Sequence, residues 1–397
     1  MEGKSQVMER FQKDVAGIIK AALLDEKYEL SADFEIEKAA ALAKKHGIEV
    51  MLYYGLLKCD ADNTLPVMKH LFLLTLQNVA VSERQLYTTK CVYDAFDKCN
   101  IDYMPLKGTL LKNIYRKSEM RSMGDADILI KPEQYEKIKP IMQELGFENK
   151  TESNHEYIWQ NKAACIELHK RLIPSYNKDF YAYFGDGWRL AKIKNGSRYE
   201  MTEEDQMIYL FTHYAKHYRD AGVGIRHIVD LWVYRNKNTN MDDGYIKEEL
   251  EKLQLYDFYS NTIRALDCWF GEGESDAVTD FITNIIFNSG VYGTKEANIL
   301  SEALKISKTH STKNVKRQKS LRLIFPKYDN MCGRYAFLKK APVLLPVMWV
   351  VRIFDVLLFK RQAIKTNREN IKIMSEDNVD AYQQALNFVG LDFNFKE

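Results

Sequence analysis

The sequence predicts an α+β fold in which a small core containing a sheet lies between two helical segments. Three observations support this prediction. Apolar residues recur at helical spacing over 1–98, short apolar runs bounded by glycine or proline fill 99–200, and helical spacing returns over 201–397. We expect three domains with these boundaries: an N-terminal helical segment, an α/β core and a C-terminal helical domain.

The N-terminal segment contains two clear helical patterns. Residues 34–58 (FEIEKAAALAKKHGIEVMLYYGLLK) carry apolar side chains three and four residues apart, and His46-Gly47 is predicted to divide them into two helices. Residues 66–100 contain no glycine and no proline after the first position, so we expect one long helix there.

The core is predicted to begin with a strand, a turn, a helix and a second strand. IDYMPLKG (101–108) is short, apolar and ends in glycine, which is typical of a buried strand that enters a turn. TLLKNIYRK (109–117) is predicted to be helical, and ADILI (126–130) is predicted to be a strand.

The rest of the core is predicted to be a helix followed by a β-hairpin. The helix is opened by Pro132 and closed by Gly146. HEYIWQ (155–160) and AACIELHKRL (163–172) flank Asn-Lys, so they are predicted to pair as antiparallel strands.

Charge and cysteine content exclude some classes of protein. Lys and Arg total 57 against 55 Asp and Glu, a net charge of +2, so the composition gives no support for binding a long nucleic acid. The six cysteines have no paired spacing, which favours reduced thiols in the cytoplasm over a disulfide framework or a zinc site. The N-terminus is charged and lacks the apolar core of a signal peptide.

One apolar segment, APVLLPVMWVVRIFDVLLF (341–359), has nearly the length of a membrane span. Arg352 and Asp355 lie inside it, one helical turn apart, where they can form an ion pair. We therefore predict no transmembrane span but a buried or partner-facing helix, with weak contact to a membrane surface as the alternative.

Three acidic residues are candidates for a metal site. Alternate residues of a strand point to the same side, so Asp125 and Asp127 are expected to direct their carboxylates together. Neighbouring carboxylates repel unless a cation neutralises them, and Mg²⁺ prefers oxygen ligands. Glu167 on a neighbouring strand supplies a third carboxylate for phosphoryl chemistry. A lone Asp-x-Asp is more often a solvated turn, which stays the alternative.

The LKGTLL turn (106–111) precedes these acids. Gly108 allows a backbone to approach a ligand closely, and Lys107 beside it is a candidate contact for phosphate. The alternative is an ordinary turn between a strand and a helix, with a lysine that faces solvent.

Taken in order, these pieces resemble the polymerase-β-like nucleotidyltransferase superfamily. LKGTLL, MRSMGDADILI, LGF, IELHKRL, and HYAKHYRD followed by IRHIVDL are similar, more closely, to a bacterial family of nucleotidyltransferases of unknown substrate. The resemblance covers about residues 35–300. It implies a small mixed-sheet nucleotidyltransferase core.

The resemblance also implies roles for individual residues. Mg²⁺, or Mn²⁺, is bound by Asp125, Asp127 and Glu167, of which Glu167 stands where Asp is usual. The implied nucleotide contacts are Lys107, Gly108, Thr109 and Arg121. Thr109 replaces the usual Ser or Gly, and its hydroxyl retains the hydrogen-bonding capacity of Ser.

A second group of residues is expected at the cleft. His213 and His217 lie four residues apart on one predicted helix face, a spacing that can hold zinc, although the glutamate of HExxH is absent. With the resemblance, we expect the two histidines and Arg226 to contact phosphate or acceptor, and Asp230 to orient one of them. The alternative is a buried polar network between two helices. His169 is expected at the rim of the site.

The implied reaction transfers a nucleoside monophosphate from an NTP, with ATP as the first choice, to a hydroxyl acceptor and releases pyrophosphate. The acceptor is not identified by the sequence. Two alternatives stay open: a catalytically inert nucleotide-binding or interaction module with the same fold, and a kinase-like enzyme that transfers another phosphoryl group.

Overall fold

The computed structural model divides the chain into two compact units. The first comprises Met1–Tyr218, Gly222–Gly293 and Phe388–Glu397, and the second comprises Arg219–Ala221 and Thr294–Asn387. The residues that the structure describes are 9–307, 325–326, 328, 331–332, 335–359, 370 and 372–391. The expected domain boundaries after residues 98 and 200 stay a prediction.

Helices precede and follow the sheet along the chain. They are α1 (Arg10–Leu24), α2 (Ile36–His46), α3 (Glu49–Leu56), α4 (Pro66–Lys98), α5 (Gly108–Lys112), α6 (Tyr135–Glu144), α7 (Lys178–Phe184), α8 (Glu203–Asp220), α9 (Ile225–Lys237), α10 (Asp243–Lys252), α11 (Tyr256–Phe270), α12 (Ala277–Asn288), α13 (Lys295–Ser307), α14 (Leu345–Phe359) and α15 (Glu376–Phe388). The break between α2 and α3 and the long helix α4 were both predicted. The predicted α+β class is confirmed.

The strands form one mixed sheet within the described residues. They are β1 (Tyr103–Pro105), β2 (Ala126–Ile130), β3 (Glu148–Glu152), β4 (Glu156–Gln160), β5 (Cys165–His169), β6 (Lys192–Asn195) and β7 (Arg198–Glu200). Their order across the sheet is β3-β4-β5-β2-β1-β7-β6. The β2–β5 and β1–β7 pairs are parallel, and the other neighbouring pairs are antiparallel.

One face of the sheet forms a hydrophobic core with α4 and α6. Ile128 of β2 and Ile166 of β5 are fully buried there, together with Phe96 of α4 and Ile138 of α6. Because side chains alternate along a strand, packing of Ile128 into this core directs its neighbour Asp127 towards the opposite face. The core therefore determines which face carries the polar side chains of β2 and β5.

Three strands were not predicted from the sequence. All residues of β3 (ENKTE) and of β6 (KIKN) are exposed, so neither strand has the alternation of buried apolar and exposed polar side chains that a half-buried strand shows. Both lie at the edges of the sheet. The third, β7, has three half-buried residues and pairs with β6. Edge strands with polar side chains lack the pattern by which strands are recognised.

Two predicted boundaries differ from the structure. Helix α5 ends at Lys112 instead of continuing to residue 117, because the Lys112 ammonium donates hydrogen bonds to the carbonyls of Ser118 and Arg121 and stabilises a loop. The hairpin turn spans 161–164, since the Asn161 side chain accepts from the backbone N–H groups of the next alanines.

The second unit contains the apolar helix α14. Val343 and Leu344 just before it, and Val347, Val350 and Val351 within it, are exposed. Among the described residues, no helix combines the length and the apolar character that crossing a membrane requires. Contact with a membrane surface or a partner stays a prediction. The predicted pairing of Arg352 with Asp355 falls outside the described residues, because the side chain of Asp355 is not among them.

We predict that Phe96→Ala destabilises the protein by about 3–5 kcal/mol, because it leaves a cavity between α4 and the sheet. Phe72→Ala, on the same helix, is the matched control, since Phe72 is 45% exposed and is expected to cost about 1 kcal/mol or less. Denaturant unfolding measures both. Equal losses would show that α4 does not pack on the sheet through Phe96.

Candidate active site

Two parallel strands bring the acidic residues together. In the register of β2 and β5, Asp127 lies directly beside Glu167, and the neighbouring pair Ile128 and Leu168 points into the core. Asp125 immediately precedes β2. All three carboxylates line a cavity of about 510 Å³. The structure therefore brings together the three acids that were predicted to form a metal site.

Asp125 is buried beside two other acids. Burial, followed by the negative charges of Asp127 and Glu167, raises the pKa of Asp125 to about 6. This corner of the cavity therefore carries negative charge that the nearby Lys107 compensates only in part.

Asp127 has the opposite electrostatic environment. It is 5% exposed, and its Oδ1 lies 3.1 Å from Lys107 Nζ and 3.1 Å from His169 Nε2. Burial raises the pKa of Asp127, but the Lys107 ammonium and the hydrogen bond from His169 outweigh burial and hold that pKa below its ordinary value. Asp127 is therefore ionised in the folded protein near neutral pH.

Lys107 is a buried cation that connects two walls of the cavity. Its Nζ lies 3.0 Å from His213 Nε2 as well as beside Asp127. Burial lowers the pKa of Lys107, while the charge of Asp127, followed by that of Tyr209 and Asp125, raises it above its ordinary value. The ammonium thus occupies a position that faces the acids, where it compensates part of their charge.

The glycine of the turn is required by a close approach. A Cβ on Gly108 would lie 2.6 Å from the backbone oxygen of Asp125, so a larger residue would push the turn away from the acids. Gly108 lines the cavity. The Thr109 hydroxyl is buried and hydrogen-bonded to Tyr93 Oη at 2.8 Å, so its contact with a triphosphate stays a prediction.

Arg121 is held away from solvent by a buried ion pair. Its Nε and Nη2 donate to Asp230 Oδ1 and Oδ2 at 2.8 and 3.0 Å, and Tyr115 Oη donates to the same carboxylate at 2.7 Å. Arg121 Nη1 also donates to the carbonyl of Gly108 at 3.4 Å. Among the described residues the hydrogen bonds of Asp230 go to Arg121 and Tyr115, and the charge of Arg226 also helps to lower the pKa of Asp230, so the expectation that Asp230 orients His213, His217 or Arg226 stays a prediction.

The cleft histidines line the same cavity as the acids. His213 Nε2 is 3.1 Å from His217 Nε2, and burial lowers the pKa of both rings well below the ordinary value. Both rings are therefore neutral near pH 7. Arg226 Nη1 donates to the backbone oxygen and the hydroxyl of Ser122, and all four residues line the cavity.

His155 and Glu156 line the cavity and were not predicted from the sequence. His155 immediately precedes β4, and Glu156 begins β4 and pairs in register with His169 at the end of β5. The hairpin that was predicted over this region contained the signal, because its strand pairing places residues near 155 opposite His169.

The chain is similar to proteins of a described family and to a solved structure. A family model described as "Uncharacterised nucleotidyltransferase" matches residues 32–271, more than half of the chain. Among solved structures, that of the antibiotic-resistance factor ANT(2'')-Ia aligns with 47% of this chain and 97% of its own, at 14% identity and a TM-score of 0.32. A TM-score at this level does not by itself establish a common fold. No curated protein matched the chain.

We predict opposite effects of two amide substitutions on the metal-free protein. Asp125→Asn raises stability by about 1–3 kcal/mol at pH 8, because a folded-state pKa above the unfolded one makes the ionised carboxylate unfavourable in the fold. This gain shrinks as pH falls below about 6 and is lost below the ordinary value of 3.8, where the carboxyl is neutral in both states.

Asp127→Asn lowers stability by about 3–5 kcal/mol at the same pH, because it leaves Lys107 buried without its carboxylate. Urea unfolding in the presence of a chelator, at several pH values, measures both variants. A loss of stability in Asp125→Asn at pH 8 would contradict the account of repulsion among the three acids.

Proposed function

Because the chain belongs to the uncharacterised nucleotidyltransferase family, we propose that it transfers a nucleoside monophosphate from a nucleoside triphosphate to a hydroxyl acceptor and releases pyrophosphate. The predicted family is confirmed, and ATP is the proposed first substrate. The proposal rests on one observation above all: Asp125, Asp127 and Glu167 converge on one wall of a single cavity.

We propose that these three acids hold Mg²⁺ or Mn²⁺. The donor set fits such an ion, since it consists of carboxylate oxygens, and the raised pKa of Asp125 reflects burial together with negative charge that Lys107 only partly compensates. When bound, a divalent ion polarises phosphate oxygens and lowers the pKa of an acceptor hydroxyl. Asp125, Asp127 and Glu167 would hold the ion, and Asp125 would bind it in its ionised form.

Lys107 and the turn that follows it support the binding of a triphosphate. The Lys107 ammonium is already desolvated and faces the acids, so phosphate oxygens near the metal would come within its reach. Gly108 leaves room beside the backbone of Asp125. Arg121 is engaged by Asp230, so we assign it the role of holding the Gly108 carbonyl and not that of a free phosphate ligand.

The remaining cavity groups are suited to proton transfer and orientation. Glu167 is proposed to accept the proton of the acceptor hydroxyl, since its side chain is 20% exposed and lines the cavity. His169 donates to Asp127 and so fixes the orientation of that ligand. His213 and His217 are neutral and offer hydrogen bonds to a phosphate or an acceptor.

The acceptor is proposed to be small. The net charge of +2 gives no support for binding a long nucleic acid, and the cavity of about 510 Å³ is of the size that holds a small ligand. All six cysteines are free thiols, which supports our placement of the reaction in the cytoplasm.

We predict that Asp125→Asn lowers the rate of pyrophosphate release by at least about 10²-fold with Mg²⁺ or Mn²⁺, because it removes a metal ligand without removing a stabilising charge. The protein is incubated with each NTP, labelled in turn at the α- and γ-phosphate, and with a panel of hydroxyl acceptors. Asp94→Asn is the control, since Asp94 is exposed on α4 and pairs only with Lys90 among the residues described there.

Transfer of the α-label by wild type and Asp94→Asn, but not by Asp125→Asn, is the expected result. Transfer of the γ-label would instead identify a kinase-like enzyme. Tight binding of NTP with equal and negligible transfer by all three proteins would identify an inert nucleotide-binding module.

A further inference from the structure

Two histidines and a glutamate meet at one end of the β4–β5 hairpin. Glu156 pairs in register with His169, and His155 precedes it in the chain. His155 Nε2 lies 3.3 Å from His169 Nδ1, His169 Nδ1 lies 3.7 Å from Glu156 Oε2, and His155 Nε2 lies 3.9 Å from the same oxygen. One atom of each side chain thus lies at a corner of a small triangle.

The size of this triangle fits a single metal ion. Ligands about 2.0–2.1 Å from a tetrahedral Zn²⁺ are separated from one another by roughly 3.4 Å. The three observed distances lie within about half an ångström of that separation. Two histidines and one glutamate also form a known zinc ligand set that leaves a fourth position open.

The hydrogen bonds of His169 direct its Nδ1 into the triangle, where a metal ion would take the place of the proton that this nitrogen carries in the imidazolium form. Its Nε2 lies 3.1 Å from Asp127 Oδ1, and because a carboxylate only accepts, Nε2 carries the hydrogen. Nδ1 then faces His155 and Glu156. An imidazole that donates to a carboxylate and ligates through its other nitrogen is the usual arrangement around zinc.

The cluster is accessible from the cavity. His155 and Glu156 line the same cavity as the three acids of the proposed transfer site. A fourth ligand is therefore able to reach this cluster from the cavity.

We propose that His155, Glu156 and His169 form a second metal site that binds a divalent transition metal of the Zn²⁺ type. It differs from the three-carboxylate site in donor chemistry, because imidazole nitrogen favours transition metals over Mg²⁺. The two sites are adjacent, since Asp127 hydrogen-bonds to His169. Metal binding here does not require the proposed transfer reaction and is measured without nucleotide.

The same distances have a competing explanation, in which a proton on His169 takes the place of a metal ion. In the metal-free protein, an imidazolium of His169 held between Asp127 and Glu156 would also keep these side chains together. The two accounts differ in whether the cluster has affinity for a transition metal.

The test is a titration of the full-length, metal-free protein with Co²⁺ and Zn²⁺ in excess Mg²⁺. We expect one tightly bound ion for each chain, with the visible absorption of tetrahedral Co²⁺ and displacement of Co²⁺ by Zn²⁺. Glu156→Gln and His155→Gln are expected to weaken Zn²⁺ binding by at least 100-fold. His227→Gln, which alters a histidine of the same cavity outside the cluster, is expected to leave the affinity unchanged.

Each contrary outcome overturns the proposal. Unaltered Zn²⁺ affinity in both cluster variants would do so, and so would a wild-type chain that binds no Co²⁺ or Zn²⁺. A thiolate charge-transfer band would assign the ion to a cysteine such as Cys165. Loss of Zn²⁺ binding in Asp125→Asn, with retention in Glu156→Gln, would assign it to the carboxylate site instead. Thermal unfolding of each variant confirms that the protein is folded.

Discussion

The parallel pairing of β2 with β5 is the constraint on which the candidate site depends. In the observed register Asp127 lies beside Glu167 while Ile128 and Leu168 enter the core. A shift of one residue would exchange these two pairs, burying the acids and exposing the apolar side chains. Burial of Ile128 and Ile166 against α4 and α6 thus stabilises the fold and the position of the carboxylates together.

This arrangement places three carboxylates close together, and the hydrogen-bond donors and positive charges that compensate them are distributed unevenly. Lys107 and His169 both contact Asp127, whose pKa is held low, whereas Asp125 is buried beside Asp127 and Glu167 and has a pKa raised to about 6. Two carboxylates that are two residues apart therefore differ in their affinity for a proton. Such a difference is typical of functional sites, because a structure selected for stability alone would separate or neutralise these charges.

A second buried network supports the turn that faces the acids. Arg121 and Asp230 are far apart in the chain, and their bidentate ion pair is completed by Tyr115. Through its Nη1, Arg121 also reaches the carbonyl of Gly108. The helical region after the sheet therefore contributes to the position of the turn as well as to the histidine wall of the cavity.

Local patterns in the sequence predicted much of this architecture. Periodicity predicted the long helix α4 and the strand at ADILI. Turn chemistry and a family resemblance predicted the candidate site residues Gly108, Asp125, Asp127 and Glu167. Contacts between distant residues were not predictable in the same way. The pairing of Asp230 with Arg121 depends on tertiary packing, and the exposed edge strands β3 and β6 carry no alternating pattern.

The central claim is that Asp125, Asp127 and Glu167 bind the metal of a triphosphate substrate. The most direct measurement is a crystal structure with Mn²⁺ and a non-hydrolysable NTP, in which anomalous scattering locates the ion. The account predicts Mn²⁺ at about 2.0–2.3 Å from oxygens of these carboxylates, with the triphosphate beside Lys107 and Gly108. A triphosphate bound elsewhere, or Mn²⁺ away from all three carboxylates, would contradict it.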